Sequence, residues 1–359
     1  MLSRQNPPHG GRDAGCKTGT AVKAVRSEYC PVPAGVVCVD ECAAPVHGAG
    51  VVMKNYPPLA QTLVDRMRAA AAADPARAVS FQGAPGAYSH QAVLEAVPDA
   101  LPHPCFSFED AIAAVVDGRV RLAVIPVENN LHGRVADVHF LLPESGLSII
   151  GEHYLKVEHC LLGAPGAVLA DVREVLSHPQ ALGQCRHRMR ALGIRPRNHA
   201  DTAAAAALVA GEGDRRLAAI ASKLAGEMYG NSLLLEAVQD ADHNRTRFLI
   251  LSRTPLALPD EAGAFKTTLS FEVKHAPAAL YKALGGFATN GINLTRLESH
   301  LRGGGFVAAE FLIDIEGQPA DPAVARALEE LAFHSRWVRS LGTYPVAQLA
   351  TATEDDSPD

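Results

Sequence analysis

Apolar residues follow two different rhythms along this chain, and the change of rhythm divides it. From residue 78 to about 252, short aliphatic runs alternate with stretches of helical spacing. The runs predict strands at 79–82, 122–127, 147–150, 158–163, 174–176, 217–221 and 247–252. Between them, helices are predicted from about Ala87, at 108–116 behind an N-capping Ser107, and at 180–192, 202–210 and 223–229. Repeated strand–helix alternation predicts open α/β sheets, whose ligands sit beyond strand ends at helix N-termini. After the proline-bearing stretch 256–265, Leu269, Phe271 and Val273 alternate as a strand, and Leu280, Leu284 and Phe287 mark a helix. A strand at 292–298, a clean alternation of Ala309, Phe311, Ile313 and Ile315, a helix bearing Val324, Leu328 and Leu331, and a strand at 337–344 follow. The order is βαββαβ, a ferredoxin-like plan.

Outside these regions the pattern weakens. Leu59, Leu63 and Met67 predict an amphipathic helix within 56–77. Residues 1–55 are rich in Gly, Pro and Cys without periodicity, and are expected to be a disordered extension or to follow from a start placed too far upstream; 348–359 is expected to be a disordered tail. Composition then excludes classes. A net charge of −6 over 359 residues, with no basic stripe, argues against nucleic acid as a partner. No apolar run reaches membrane-spanning length and no secretory succession opens the chain, so no membrane partner is expected. Cys16, Cys30, Cys38 and Cys42 lack the C-x2-C knuckle of a zinc site, so no metal is expected. Cys105, Cys160 and Cys185 read as buried thiols of a reducing, cytoplasmic compartment.

Four segments carry candidate chemistry: Gly83-Ala84-Pro85-Gly86-Ala87-Tyr88-Ser89; Ile125-Pro126-Val127-Glu128-Asn129-Asn130 followed by Gly133; Ser177-His178-Pro179-Gln180-Ala181-Leu182-Gly183-Gln184-Cys185; and Asn244-Arg245-Thr246-Arg247-Phe248. Each also has a plain structural reading. Thr246 suits a strand, Arg247 a sheet edge, Asn129 a turn, and Ser177 the cap of a surface helix that carries Gln184 about two turns on.

Taken in order and spacing, the four segments resemble the prephenate dehydratase family, and the tail with Gly291-Ile292-Asn293-Leu294-Thr295-Arg296-Leu297-Glu298-Ser299 is similar to an ACT domain. The resemblance implies a two-lobed, periplasmic-binding-protein-like catalytic region over 78–255, lobe 1 at about 78–151 and 233–255 and lobe 2 at about 152–232, with an ACT domain over 266–347. It also implies a reaction without cofactor: prephenate loses CO2 and water to give phenylpyruvate. Thr246 would donate a hydrogen bond to the leaving hydroxyl, while Asn129, Ser177, Gln184, Arg247 and the backbone at Gly86 would bind substrate. Glu128 would orient rather than protonate, since it would repel a dianion.

In the tail, the family's phenylalanine-framing segments correspond to Ala278-Ala279-Leu280 and Glu298-Ser299, followed by His300-Leu301 where the family has Arg-Pro. The resemblance thus implies L-phenylalanine as an effector and assembly as a homodimer or homotetramer. Two other readings stay open: an arogenate dehydratase, and a non-catalytic two-lobed sensor of an aromatic metabolite. A fused chorismate mutase is excluded, because Gly and Pro break the N-terminal segment that its long helices would need.

Overall fold

The computed structural model describes residues 56–258, 263–302 and 308–347; the expectations for residues 1–55, with their four cysteines, and for 348–359 lie outside these. The helix α1 (Pro58–Ala73) leads into β1 (Ala78–Gln82), α2 (Tyr88–Ala96), β2 (Leu101–Cys105), α3 (Phe108–Val116), β3 (Leu122–Asn129), β4 (Gly133–Arg134), α4 (Ala136–Glu144) and β5 (Ser148–Lys156). The chain then forms β6 (Cys160–Gly163), β7 (Glu174–Ser177), α5 (Pro179–Gln184), α6 (Arg186–Ala191), β8 (Arg195–Asn198), α7 (Thr202–Glu212), β9 (Leu217–Ala221), α8 (Lys223–Tyr229) and β10 (Ser232–Leu235), and returns as β11 (Arg245–Ser252).

These strands form two sheets. The first runs β2-β1-β3-β11-β5, with β4 paired to β3, and the second runs β10-β6-β9-β7-β8. In both, the early strands pair in parallel, β1 with β2 and β3, and β7 with β8 and β9; β11 then pairs antiparallel with β3 and β5, and β6 pairs antiparallel with β9 and β10. The α/β expectation therefore holds, but the crossing points move. Glu152 sits inside β5, paired with Leu249 of β11, so the chain leaves the first sheet after Lys156, and β10 still belongs to the second.

Buried Ala60, Val64 and Ala71 dock α1, a face rotated from the expected one; Leu59 is exposed. Small side chains are what the close packing of α1 on α7 and β2 admits. The lobes are tied behind the cleft by the glycine loop. Ser222 Oγ donates to Gly86 O at 2.5 Å and Tyr229 Oη to Pro85 O at 2.7 Å. Gly86 has φ +89°, and a Cβ there would lie 2.6 Å from Ala225 Cα, so the residue is fixed by shape.

The tail forms β12 (Phe265–Val273), α9 (Ala279–Thr289), β13 (Leu294–Arg302), β14 (Ala308–Glu316), α10 (Pro322–His334) and β15 (Ser335–Pro345). Its antiparallel sheet runs β13-β14-β12-β15, the ferredoxin-like order. Leu269, Phe271, Phe287, Ile313, Ile315, Val324 and Leu331 build its own core. Its other sheet face is not free: Leu312, Leu341 and Tyr344 pack in one cluster with Ile149, Leu142 and Leu249 of the first lobe. Gly342 makes this possible, since a Cβ there would sit 2.1 Å from Ile149 O.

Candidate active site

A cavity of about 530 Å³ lies where the carboxyl ends of both sheets converge, lined by Gln82, Tyr88, Asn129, His132, Arg134, His159, His178, Gln184, Asp201, Thr202 and Thr246 among others. Gln82 and Asn129 end strands of the first sheet, and His178 follows one of the second, the position that α/β sheets offer to ligands.

At one side, Asn129 and Thr246 are Cα partners across β3 and β11. Asn129 Nδ2 donates to Thr246 Oγ1 at 3.0 Å, with Asn244 Oδ1 at 2.8 Å and Arg245 O at 3.0 Å also in reach. Its Oδ1 accepts the backbone N–H of Leu131 and of His132, both at 3.0 Å. The amide of Asn129 is thus engaged by the protein: it orients Thr246 and shapes the loop behind it. Because Thr246 Oγ1 accepts, its own hydrogen remains available to donate.

From the second lobe, Gln184 spans the cleft. Tyr88 Oη lies 2.6 Å from His159 Nδ1, His159 Nε2 2.6 Å from Gln184 Oε1, and Gln184 Nε2 3.0 Å from His132 Nδ1. Burial holds the His159 imidazole below its ordinary pKa, so it is neutral; Nε2–H donates to Gln184 and Nδ1 accepts from Tyr88. The Gln184 amide is thereby oriented to donate across to His132. Asp201 caps α7 through Ala204 N at 2.7 Å, and its burial raises the carboxyl pKa, opposing a second negative charge in the cavity.

Three expected ligands fall elsewhere. Ser177 is fully buried, with Oγ donating to Ile220 O at 2.6 Å, and the cap of α5 is His178, whose Nδ1 accepts from Gln180 N. The helix itself is broken at Cys185. Gly86 N–H donates to His90 Nδ1 at 3.0 Å, so that loop amide serves the fold. Arg247 points to the opposite sheet face from Thr246, as strand alternation requires, and is 3% exposed. It binds Glu152 at 2.7 Å, Asp314 at 2.6 Å and Glu128 at 3.3 Å, with Tyr344 Oη at 3.0 Å. Burial works against its charge, but Asp314 and Glu152 outweigh it and hold the guanidinium pKa above its usual value. Glu128 faces this network, 3.7 Å from Arg296, in keeping with an orienting role.

Of the tail residues, Ala278 precedes α9 with φ +59°, Ala279 and Leu280 begin that helix, and Glu298 and Ser299 lie in β13. Glu298 and the Ser299 carbonyl each contact Arg134 Nη1 at 3.3 Å, at the edge of the cavity. His132, His159 and Arg134 had no sequence signal of their own: each becomes visible only when distant parts of the chain meet. Among the described residues no helix is long and apolar enough to cross a membrane, and no His/Cys/Asp/Glu cluster fits a metal ion.

Residues 79–256 match the family model for prephenate dehydratase. A bifunctional N-acyl-homoserine lactone acylase/prephenate dehydratase from Komagataeibacter europaeus is 51% identical, over 76% of this chain and 96% of that protein. The arogenate dehydratase/prephenate dehydratase 1, chloroplastic, of Arabidopsis thaliana is 40% identical over 75% of this chain and 72% of its own length. The solved prephenate dehydratase of Arthrobacter aurescens, in complex with L-Phe, superposes with a TM-score of 0.69 at 31% identity, over 75% of this chain and 89% of that one.

Proposed function

This chain belongs to the prephenate dehydratase family, and from that premise we propose that it converts prephenate to phenylpyruvate, CO2 and water in the cytoplasm, serving L-phenylalanine synthesis. The observation that carries this reading is the Thr246 hydroxyl, held by Asn129 at the wall of a roughly 530 Å³ cavity, with its hydrogen unclaimed among the described residues. In the reaction, the ring C–O bond breaks while the bond to the ring carboxylate gives its electron pair to the new aromatic ring. Hydroxide departs against the Thr246 O–H, which hydrogen-bonds to it without giving up its proton, and takes a proton from solvent to become water. A hydroxyl is a weak acid, but a donor placed where negative charge develops lowers the barrier by about 3–4 kcal/mol. Gln184, fixed by His159 and joined to His132, supplies the closing contact from the other lobe.

The βαββαβ tail acts in this reading as an ACT domain that senses L-phenylalanine through Ala278, Ala279, Leu280, Glu298 and Ser299. Its support is the ferredoxin-like sheet order and the L-Phe bound by the Arthrobacter relative. Assembly as a homodimer or homotetramer is part of the same proposal, supported by Tyr281 and Phe333, 80% and 72% exposed on α9 and α10. Purified full-length protein supplied with prephenate, with arogenate, and with an N-acyl-homoserine lactone separates the activities that the relatives' names carry. Prephenate is expected to be the substrate turned over fastest, and added L-phenylalanine to slow it. Turnover of arogenate alone, or of neither ring substrate, would overturn the assignment.

A further inference from the structure

A dianionic substrate needs a positive charge in its cavity, and the expected one, Arg247, is elsewhere. Among the described residues that line the cavity, Arg134 is the one that carries a fixed positive charge. It sits on β4, whose neighbour Gly133 pairs with Asn129, so it is one strand pairing away from the Asn129–Thr246 couple. Its Nη1 is held from outside the cavity by Glu298 Oε2 and Ser299 O of β13, each at 3.3 Å. Its Nε and Nη2 have no protein partner among the described residues, and the side chain is 45% exposed against 22% for Glu298. That is an uneven arrangement for a surface ion pair. One corner of the guanidinium is pinned by the tail, and the Nε–Nη2 edge, the side that grips a carboxylate with two parallel hydrogen bonds, is left over.

We propose that Arg134 binds a carboxylate of the substrate through its Nε–Nη2 edge, and that Glu298 and the Ser299 carbonyl of β13 hold it in position to do so. The inference rests on the dehydratase reading above and deepens it. It names the residue that recognises the substrate's negative charge, and it makes strand β13 of the tail part of that recognition. The other oxygen of Glu298 lies 4.0 Å from Arg296 Nε, which in turn lies 3.7 Å from Glu128 beside Asn129. A shift of β13 would therefore move the cation that the substrate meets. Of the neighbouring groups, burial lowers the pKa of His159 and of His178, disfavouring their charged forms, and Asp137 and Asp201 bear no positive charge.

The test is steady-state kinetics of the full chain with prephenate. Wild-type turnover tests the dehydratase reading; the variants test this one. Arg134→Ala should raise KM about ten- to a hundredfold with kcat within about threefold, the loss of a charge-assisted pair made in ground and transition states alike. Arg134→Lys, which keeps the charge without the fork, should fall between. Glu298→Ala should raise KM by a smaller factor, and should have no further effect in an Arg134→Ala background. Unfolding midpoints of all the variants should stay near that of wild type, because both side chains are partly exposed. Unchanged KM in Arg134→Ala would overturn the proposal, as would a Glu298→Ala effect that persists when Arg134 is gone, or a KM that falls in Glu298→Ala.

Discussion

Replacing Arg247 by Met should unfold this protein more readily than any other conservative change on β11, and should do so without weakening substrate binding. The guanidinium is 3% exposed between Glu152, 0% exposed, and Asp314, 1% exposed. Its loss would not strand both equally. Glu152 keeps Lys266 Nζ at 2.9 and 3.0 Å, whereas Asp314 keeps the Thr268 hydroxyl at 2.6 Å and Arg296 only at 4.0 Å. The cost is therefore mainly one buried carboxylate left uncompensated, about 3–5 kcal/mol. That is a large part of a typical folding stability of about 5–15 kcal/mol. Urea denaturation followed by circular dichroism measures it. Adding Asp314→Asn to Arg247→Met should recover about 2 kcal/mol or more, because it removes the stranded charge and keeps an acceptor for Thr268. At a temperature where Arg247→Met remains folded, its KM for prephenate should match wild type. A loss under about 1 kcal/mol, or no recovery in the double variant, would refute the account of this network as a buried charge balance. A large rise in KM would show that Arg247 reaches substrate after all.

Two further outcomes follow from the glycine loop. Gly86→Ala adds a Cβ 2.6 Å from Ala225 Cα at a φ of +89°, and should cost about 2–4 kcal/mol in the same denaturation measurement. His90 accepts the Gly86 N–H and is pushed down from 6.5 to about 4 by burial, so between those values the unfolded chain takes a proton that the folded chain refuses. Stability should thus be complete above pH 6.5 and fall as the pH drops towards 4, with about 2 kcal/mol lost from this residue at pH 5. His90→Gln should flatten that part of the urea-midpoint profile; an unchanged slope would count against it.

How far the sequence disclosed this architecture depended on where each element lies. Buried central strands such as β3 and β9 carry continuous apolar runs and were legible at once. The strands that escaped were at edges: β2 holds Pro102 and Pro104, which an edge tolerates, and β8 is exposed along its whole length. The helix α4 escaped because it has no capping side chain and carries Pro143 inside it. At the site, Thr246, Asn129 and Gln184 were legible from their motifs, and the structure brings all three to one cavity. Expecting Arg247 beside Thr246 to face the same ligand ignored the two-residue period of a strand, which sends neighbours to opposite faces. Ser177 failed for a related reason: the last residue of β7 points its hydroxyl into the sheet, and the capping duty passes to His178. Arg134 and His132 have no motif that could have revealed them, because their partners, Glu298 and Gln184, come from distant parts of the chain.

The central claim is that a hydroxyl on Thr246, oriented by Asn129, assists the departing oxygen. It is tested most directly by the rate of phenylpyruvate formation at saturating prephenate in three proteins: wild type, Thr246→Ser and Thr246→Val. Serine keeps the donor, and its kcat should stay within about tenfold of wild type; valine keeps the shape and removes the donor, and its kcat should fall by about 10²–10³. A valine variant that forms phenylpyruvate within about threefold of the wild-type rate would contradict the account, because no donor on β11 would then be needed.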